Sequence, residues 1–251
     1  MAVAPQPVPP ALGNAPGTDE TYADLLRLPA LLEASRSDAA ASHMALFLVP
    51  HQVAELCFSL MQRRLDDASA ALAARDGQTA AEMVRPLPAL MRTVAAQFDI
   101  LHGLSPTAFE SVRKAVGSAS GIQSAQWRRI EYTCGHRDRR HLATAGWSAE
   151  ERAGLLDQLA RPSLAERFAA FTADPGDDPE NIRWAVPVGA DLRALAHVVT
   201  QWRLAHVRIA GRFVGNRPGT AGTAGVEYLQ AVARHDLFPG LTTSPHPQGA
   251  S

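Results

Sequence analysis

Residues 192–213 read LRALAHVVTQWRLAHVRIAGRF, and the spacing of their apolar side chains decides the fold. Leu192, Leu195, Ala196, Val199, Trp202, Ile209, Ala210 and Phe213 recur at i, i+3, i+4 and i+7, the repeat of one helix face. Arg203 and His206 lie inside the same stripe. An imidazole on a core face must find a hydrogen-bond partner or a metal, because burying it unpaired costs free energy. The spacing alone leaves a satisfied structural histidine and a ligand both open. The stripe then gives way to VGNRPGTAGTAGVEYL, residues 214–229. That run is longer than a helix hairpin needs and lacks the Gly-Lys-Ser/Thr ending of a phosphate loop. It reads as a loop whose glycines let backbone approach a ligand closely.

The same helical period recurs along the chain, and no stretch alternates convincingly with period two, so the expected class is all-α. A short amphipathic helix interrupted by Pro29 is expected over TYADLLRLPALLEA, and a long one from about Ser42 to Ala74. Another, kinked at Pro86 and Pro88, should follow. Ser105-Pro106 has the form of an N-cap and first helical residue. GSASG breaks that helix, IQSAQWRRIEYTCG resumes, and two short helices should span about 148–160 and 163–172. ADPGDDPENIRWAVPVGAD, residues 173–191, reads as the one linker-like region in the middle. Residues 1–18 and 241–251 are expected to be loose tails around a single domain over 19–240.

Within HMALFLVPHQVAELCFSL, residues 43–60, Phe47 and His51 stand at i and i+4 on one face with apolar neighbours. That face should be buried and bent at Pro50. Two inward histidines on two long helices suit a haem or other ligand held in a bundle core, and a kinked core with a buried imidazole is the plainer alternative.

Composition excludes several classes. A formal net charge of −1 argues against a general nucleic-acid or membrane-surface binder. The two cysteines, Cys57 and Cys134, have no paired spacing, which fits a reducing compartment rather than a disulfide framework. The Pro- and Ala-rich N-terminus lacks the pattern of a signal peptide, and no continuous apolar run reaches the length of a membrane span. A soluble cytoplasmic protein is the expectation. Cys134, His136 and His141 lack a fourth ligand at suitable spacing and sit in RRIEYTCGHRDRRH, read here as a solvated basic loop. Cys57 reads as a small core residue.

Several segments, in order from about Thr21 to Pro239, resemble the tryptophan 2,3-dioxygenase family: TYADLLRL, LFLVPHQVAEL, SPTAFESVRKAVGSASGIQSAQWRRIE, WRLAHVRIAGRFVGNRPGTAGTAGVEYLQ and LFPGL. The resemblance implies an all-α bundle holding haem b between long helices, with O₂ as co-substrate and an aromatic amino acid as substrate. It implies His206 as the axial iron ligand, and Ser120, Gly121 and Trp202 beside the haem. His51 would stand beside the indole nitrogen, Phe47 and Phe109 against the ring, Arg113 on the carboxylate, and Thr220 near the ammonium group. Pairing of Arg113 with Glu110 or Glu131 is the structural alternative for that residue. Tyr22, Leu25 and Leu26 match positions that reach a neighbouring subunit's site, implying a homo-oligomer, dimer or tetramer.

The chain departs from the family pattern at His43-Met44-Ala45, at Phe109 and Leu25 where tyrosines are common, and at Ala221 in the glycine-rich loop. It is also shorter between Ala173 and Asp191. The activity implied is insertion of O₂ across the indole C2–C3 bond. A haem-dependent monooxygenase of secondary metabolism and a haem-binding sensor are the alternatives.

Overall fold

The computed structural model describes residues 21–36, 42–174, 179–215, 217, 219 and 224–241, which fall into two units divided after residue 40. In the first, α1 (Tyr22–Leu25) and α2 (Leu28–Ala34) are separate helices. Thr21 caps α1 reciprocally with Asp24. The break falls at Arg27, in the left-handed region with φ 51°, rather than at Pro29, which is tolerated in the first turn of α2. Tyr22, Leu25 and Leu26 are exposed.

In the second unit all regular structure among the described residues is helical. Its elements are α3 (Ser42–Ala73), α4 (Gly77–Val84), α5 (Leu87–His102), α6 (Pro106–Val116), α7 (Ala125–Cys134), α8 (Ala149–Ala160), α9 (Leu164–Ala173), α10 (Pro179–Phe213) and α11 (Val226–Ala233). Short 3₁₀ turns over Gly121–Gln123 and Arg139–Ala143 flank α7. The Ser105 hydroxyl accepts from the Ala108 N–H and Pro106 opens α6, as the sequence leads one to expect.

Two expectations fail. The kinked helix around Pro86 and Pro88 is two helices, α4 and α5, because prolines lacking an N–H sit at the cap and second position of α5. The linker expected over 173–191 is helical from Pro179 onward, and α10 carries Pro187 inside it. Packing explains the tolerance: Val188 and Leu192 are wholly buried, and Trp184 packs on the core beside Gly77.

Helices α3 and α10, each about 50 Å long at 1.5 Å per residue, both lie against α4 and α5, and α7 packs on α3. The stripe read on α10 divides in the structure. Leu192, Leu195 and Val199 enter the main core with Met61, Leu65 and Met91, whereas Ile209 and Phe213 enter a second cluster with Leu101, Leu104 and Ala108. Trp202 and His206 stand between the two, where the chain leaves a cavity.

By length and composition alone, the span His43–Ala73 of α3 could cross a membrane. A core helix of a globular domain passes the same test; Met61, Leu65 and Ala68 of this one are wholly buried, though only 22% of its most apolar stretch is.

Candidate active site

The cavity between the two clusters measures about 300 Å³. Phe47 and His51 reach it from α3, Phe98 from α5, and Phe109 and Arg113 from α6. Ser120 and Gly121 come from the turn before α7, Trp202 and His206 from α10, and Tyr228, Leu229 and Val232 from α11. Eight of the ten residues singled out from the sequence therefore share one cavity. Of the others, Thr220 lies outside the described residues, and Tyr22 belongs to the first unit. Gly219 and Gly225 of the glycine-rich run also line the cavity.

His206 follows from its helix. Its stripe is apolar, so burial pushes its pKa down, helped by the nearby His51, to about 4. The ring is therefore neutral at pH 7. Phe98 lies 5.6 Å from it and Trp202 6.4 Å, centroid to centroid, and no hydrogen bond joins it to another described residue. A neutral imidazole with no hydrogen-bond partner among the described residues, in an aromatic-walled cavity, suits an iron ligand, and the aromatic walls suit the haem expected from the resemblance. Those walls form a continuous aromatic set. Phe98 stacks on Trp202 at 6.3 Å, Trp127 meets Trp202 edge-on at 4.8 Å, and Phe58 packs on Trp127 at 5.1 Å.

His51 differs from the expectation. Its face is not core: the residue is exposed and Phe47 half-buried, because both stand on the cavity side of α3. The His51 Nδ1 lies 2.6 Å from the Phe47 carbonyl oxygen, and the two rings pack at 4.3 Å. A carbonyl only accepts, so Nδ1 carries the hydrogen; in the neutral tautomer this leaves Nε2 as the acceptor. Phe109 stacks on Phe213 at 4.5 Å.

Arg113 is half-buried on the cavity wall. Of the two protein carboxylates considered for it, Glu110 has its pKa lowered by the Arg217 hydrogen bond and then by the charges of Arg217 and Arg113 itself. Glu110 accepts from Arg217 at 2.9 Å, and Glu131 accepts from both Arg128 and Arg203.

That last group corrects the reading of RRIEYTCGHRDRRH as a solvated loop. Arg128, Glu131, Tyr132, Thr133, Cys134 and His141 are all buried, and only Arg139 and Arg140 at its far end are exposed. The reason is charge pairing across helices. Arg203 Nη2 donates to Glu131 Oε1 at 2.7 Å, and Arg203 Nη1 to the His235 carbonyl at 2.6 Å. Arg128 bonds the other Glu131 oxygen and also lies 3.1 Å from His141 Nε2. Burial, then the Arg128 charge, holds the His141 pKa down at about 4, so its Nε2 can accept. Arg128 and Arg203 line the cavity as well.

With this geometry established, comparison with known proteins decides the family. The family model for tryptophan 2,3-dioxygenase matches residues 12–159. A tryptophan 2,3-dioxygenase of Anaeromyxobacter dehalogenans (strain 2CP-C) is 31% identical over 247 residues, covering 88% of this chain and 93% of the relative. The chain belongs to the tryptophan 2,3-dioxygenase family.

A second family member, from Ruegeria sp. (strain TM1040), is 32% identical over 256 residues, covering 89% of this chain and 91% of the relative. A third, from Polaromonas sp. (strain JS666 / ATCC BAA-500), is 30% identical over 254 residues, covering 89% and 86%. The family-model match includes Phe47, His51, Phe109, Arg113, Ser120 and Gly121, and ends before α10. The all-α class read from the sequence is that of the structure.

Several lining residues escaped the sequence reading. Phe213 and Arg203 were visible in the α10 stripe, but spacing does not tell core from cavity. Phe58, Phe98 and Trp127 carried no signal beyond hydrophobicity. Tyr228, whose hydroxyl is buried with no hydrogen-bond partner among the described residues, carried none at all.

Proposed function

We propose that the protein is a haem-dependent dioxygenase that inserts O₂ across the C2–C3 bond of L-tryptophan, or a closely related indole amino acid, to give an N-formylkynurenine-type product. The observation that carries this reading is the convergence in one cavity of a neutral, unpaired His206, the acceptor nitrogen of His51 and the guanidinium of Arg113. Each suits a different part of the reaction.

His206 would hold the iron of haem b as its single protein ligand, with Trp202, Ser120 and Gly121 bounding the group. When bound, the haem supplies a site that binds and activates O₂. Phe47 and Phe109 pack the flat indole by apolar contact. His51 Nε2 accepts the hydrogen of the indole N–H, fixing ring orientation without adding charge. Arg113 offers two parallel N–H donors to the substrate carboxylate, and its half-buried place on the cavity wall leaves that pair partly screened by solvent. Thr220 near the ammonium group, and Tyr22 reaching the site of a neighbouring subunit in a homo-oligomer, rest on the resemblance alone. A cytoplasmic setting agrees with two unpaired thiols.

The relatives compared above bear the name of a dioxygenase, and nothing in the site favours one-atom insertion or a sensor without turnover. Product mass tests the reading directly. Protein reduced in the presence of haem and given L-tryptophan with ¹⁸O₂ should yield a product carrying both labelled atoms. A product carrying one labelled atom would make it a monooxygenase.

A further inference from the structure

We infer that Arg203 is a positioning residue, which ties the turn of α10 bearing His206 to α11 and so lets occupancy of the cavity reach the iron ligand. This inference rests on the functional reading above. Arg203 stands three residues before His206 on the same face of α10, and it is 4% exposed. Its two terminal nitrogens point in different directions. Nη2 donates to Glu131 Oε1 of α7 at 2.7 Å, and Nη1 donates to the carbonyl of His235, two residues beyond α11, at 2.6 Å. Glu131 is wholly buried and is held through its other oxygen by Arg128. The carboxylate is thus fixed from two sides, and Arg203 has a rigid anchor from which to reach the end of α11.

Helix α11 is itself a wall of the cavity, through Tyr228, Leu229 and Val232. An occupant of the cavity that presses on that wall would displace the carbonyl of His235, and the guanidinium would have to follow or lose a charge-assisted bond in a water-poor interior, where such a loss is expensive. The turn carrying His206 moves with it. Packing alone would couple the two helices weakly, since apolar contacts slide. Two directed bonds from one planar group do not. Reciprocity follows: whatever cavity occupancy does to the iron–imidazole bond, a change at that bond does to the affinity for the substrate.

The test uses the haem-loaded full chain. First, in the wild type, hydrogen–deuterium exchange is followed with and without L-tryptophan. The inference expects amides of α11 and amides of α10 around His206 to slow together. Slowing of α11 with no change around His206 overturns it, and this arm needs no variant. Second, the iron–histidine stretching band of the ferrous protein is recorded for wild type, Arg203→Lys and Glu131→Gln. Both variants should take up haem at the wild-type stoichiometry. Both should shift the band and lose the change that L-tryptophan produces in the wild type. A merely structural role would lower thermal stability and leave the substrate-induced change intact, and that result contradicts the inference alone. A wild type that takes no haem, or whose haem ignores L-tryptophan, contradicts the functional reading and is seen before any variant is made.

Discussion

Replacing Arg113 with leucine should weaken L-tryptophan binding strongly and tryptamine binding hardly at all. The magnitude follows from where Arg113 sits. At hydrogen-bond distance and an effective dielectric of about 20, a guanidinium–carboxylate pair is worth roughly 5 kcal/mol of Coulomb energy before the carboxylate's lost hydration is subtracted. Arg113 is half-buried, so solvent screens part of what remains. A net loss of about 2–3 kcal/mol is expected, toward the lower end for breaking a charged pair in an interface, or about 30- to 150-fold in Kd.

The assay is a spectral titration of both ligands against both proteins. Tryptamine keeps the indole and ammonium of tryptophan and lacks its carboxylate, so the four affinities form a cycle. That cycle isolates the carboxylate–Arg113 coupling and cancels any change in packing that the substitution brings. Equal losses for the two ligands would mean that Arg113 acts only through the shape of the cavity. An unchanged L-tryptophan affinity would refute the assignment altogether.

Other outcomes follow from the same geometry. His51→Ala should keep its haem and lose about 10²-fold in turnover, the scale of one positioned proton-bearing group; loss of the haem absorption band instead would exchange the roles given to the two histidines. Because the His141 pKa is held near 4 in the folded state against about 6.5 unfolded, its contribution to stability is complete above pH 6.5. It is lost as pH falls toward 4, by up to about 3 kcal/mol. Denaturant melts at pH 7 and pH 5 should show the decline, and His141→Gln should flatten it. Gly77→Ala would place a methyl 2.7 Å from Trp184 Cβ and 2.9 Å from Phe171 Cζ, where α4 crosses α10. It should destabilise by about 1–3 kcal/mol, the usual cost of overpacking, and a melt at the wild-type temperature would show that α10 can shift there freely.

The helices were legible because burying one face imposes a period on the sequence, and α10 shows both the reach and the limit of that signal. Its stripe from Leu192 to Phe213 is a single pattern in the sequence and three environments in the structure: core, cavity and core again. Period alone assigns Trp202 and His206 to a buried face. It cannot say that the face opens onto empty space, because that depends on which helices stand opposite.

The same limit hid the charge network. Glu131 lies 72 residues from Arg203, and nothing local in RRIEYTCGHRDRRH announces that its carboxylate will be shared by two arginines from different helices. The error over 179–191 has another cause. Prolines and acidic residues there are ordinary loop signals, and they were overridden by the burial of Val188 and Leu192 and the packing of Trp184. In the sequence His51 reads as buried because its neighbours are apolar, whereas those neighbours serve the rim of a cavity. Most of the site became legible through motif order rather than through chemistry visible in any one segment.

The central claim is that His206 holds haem iron in this cavity. Haem titration of the wild type and His206→Ala, followed by absorption and repeated with imidazole added to the variant, tests it most directly. The wild type should bind one haem per chain with the spectrum of a histidine-ligated iron. The variant should lose that band and regain it when free imidazole fills the space left by the side chain. A variant that binds haem fully, with an unchanged spectrum and no response to imidazole, would contradict the account.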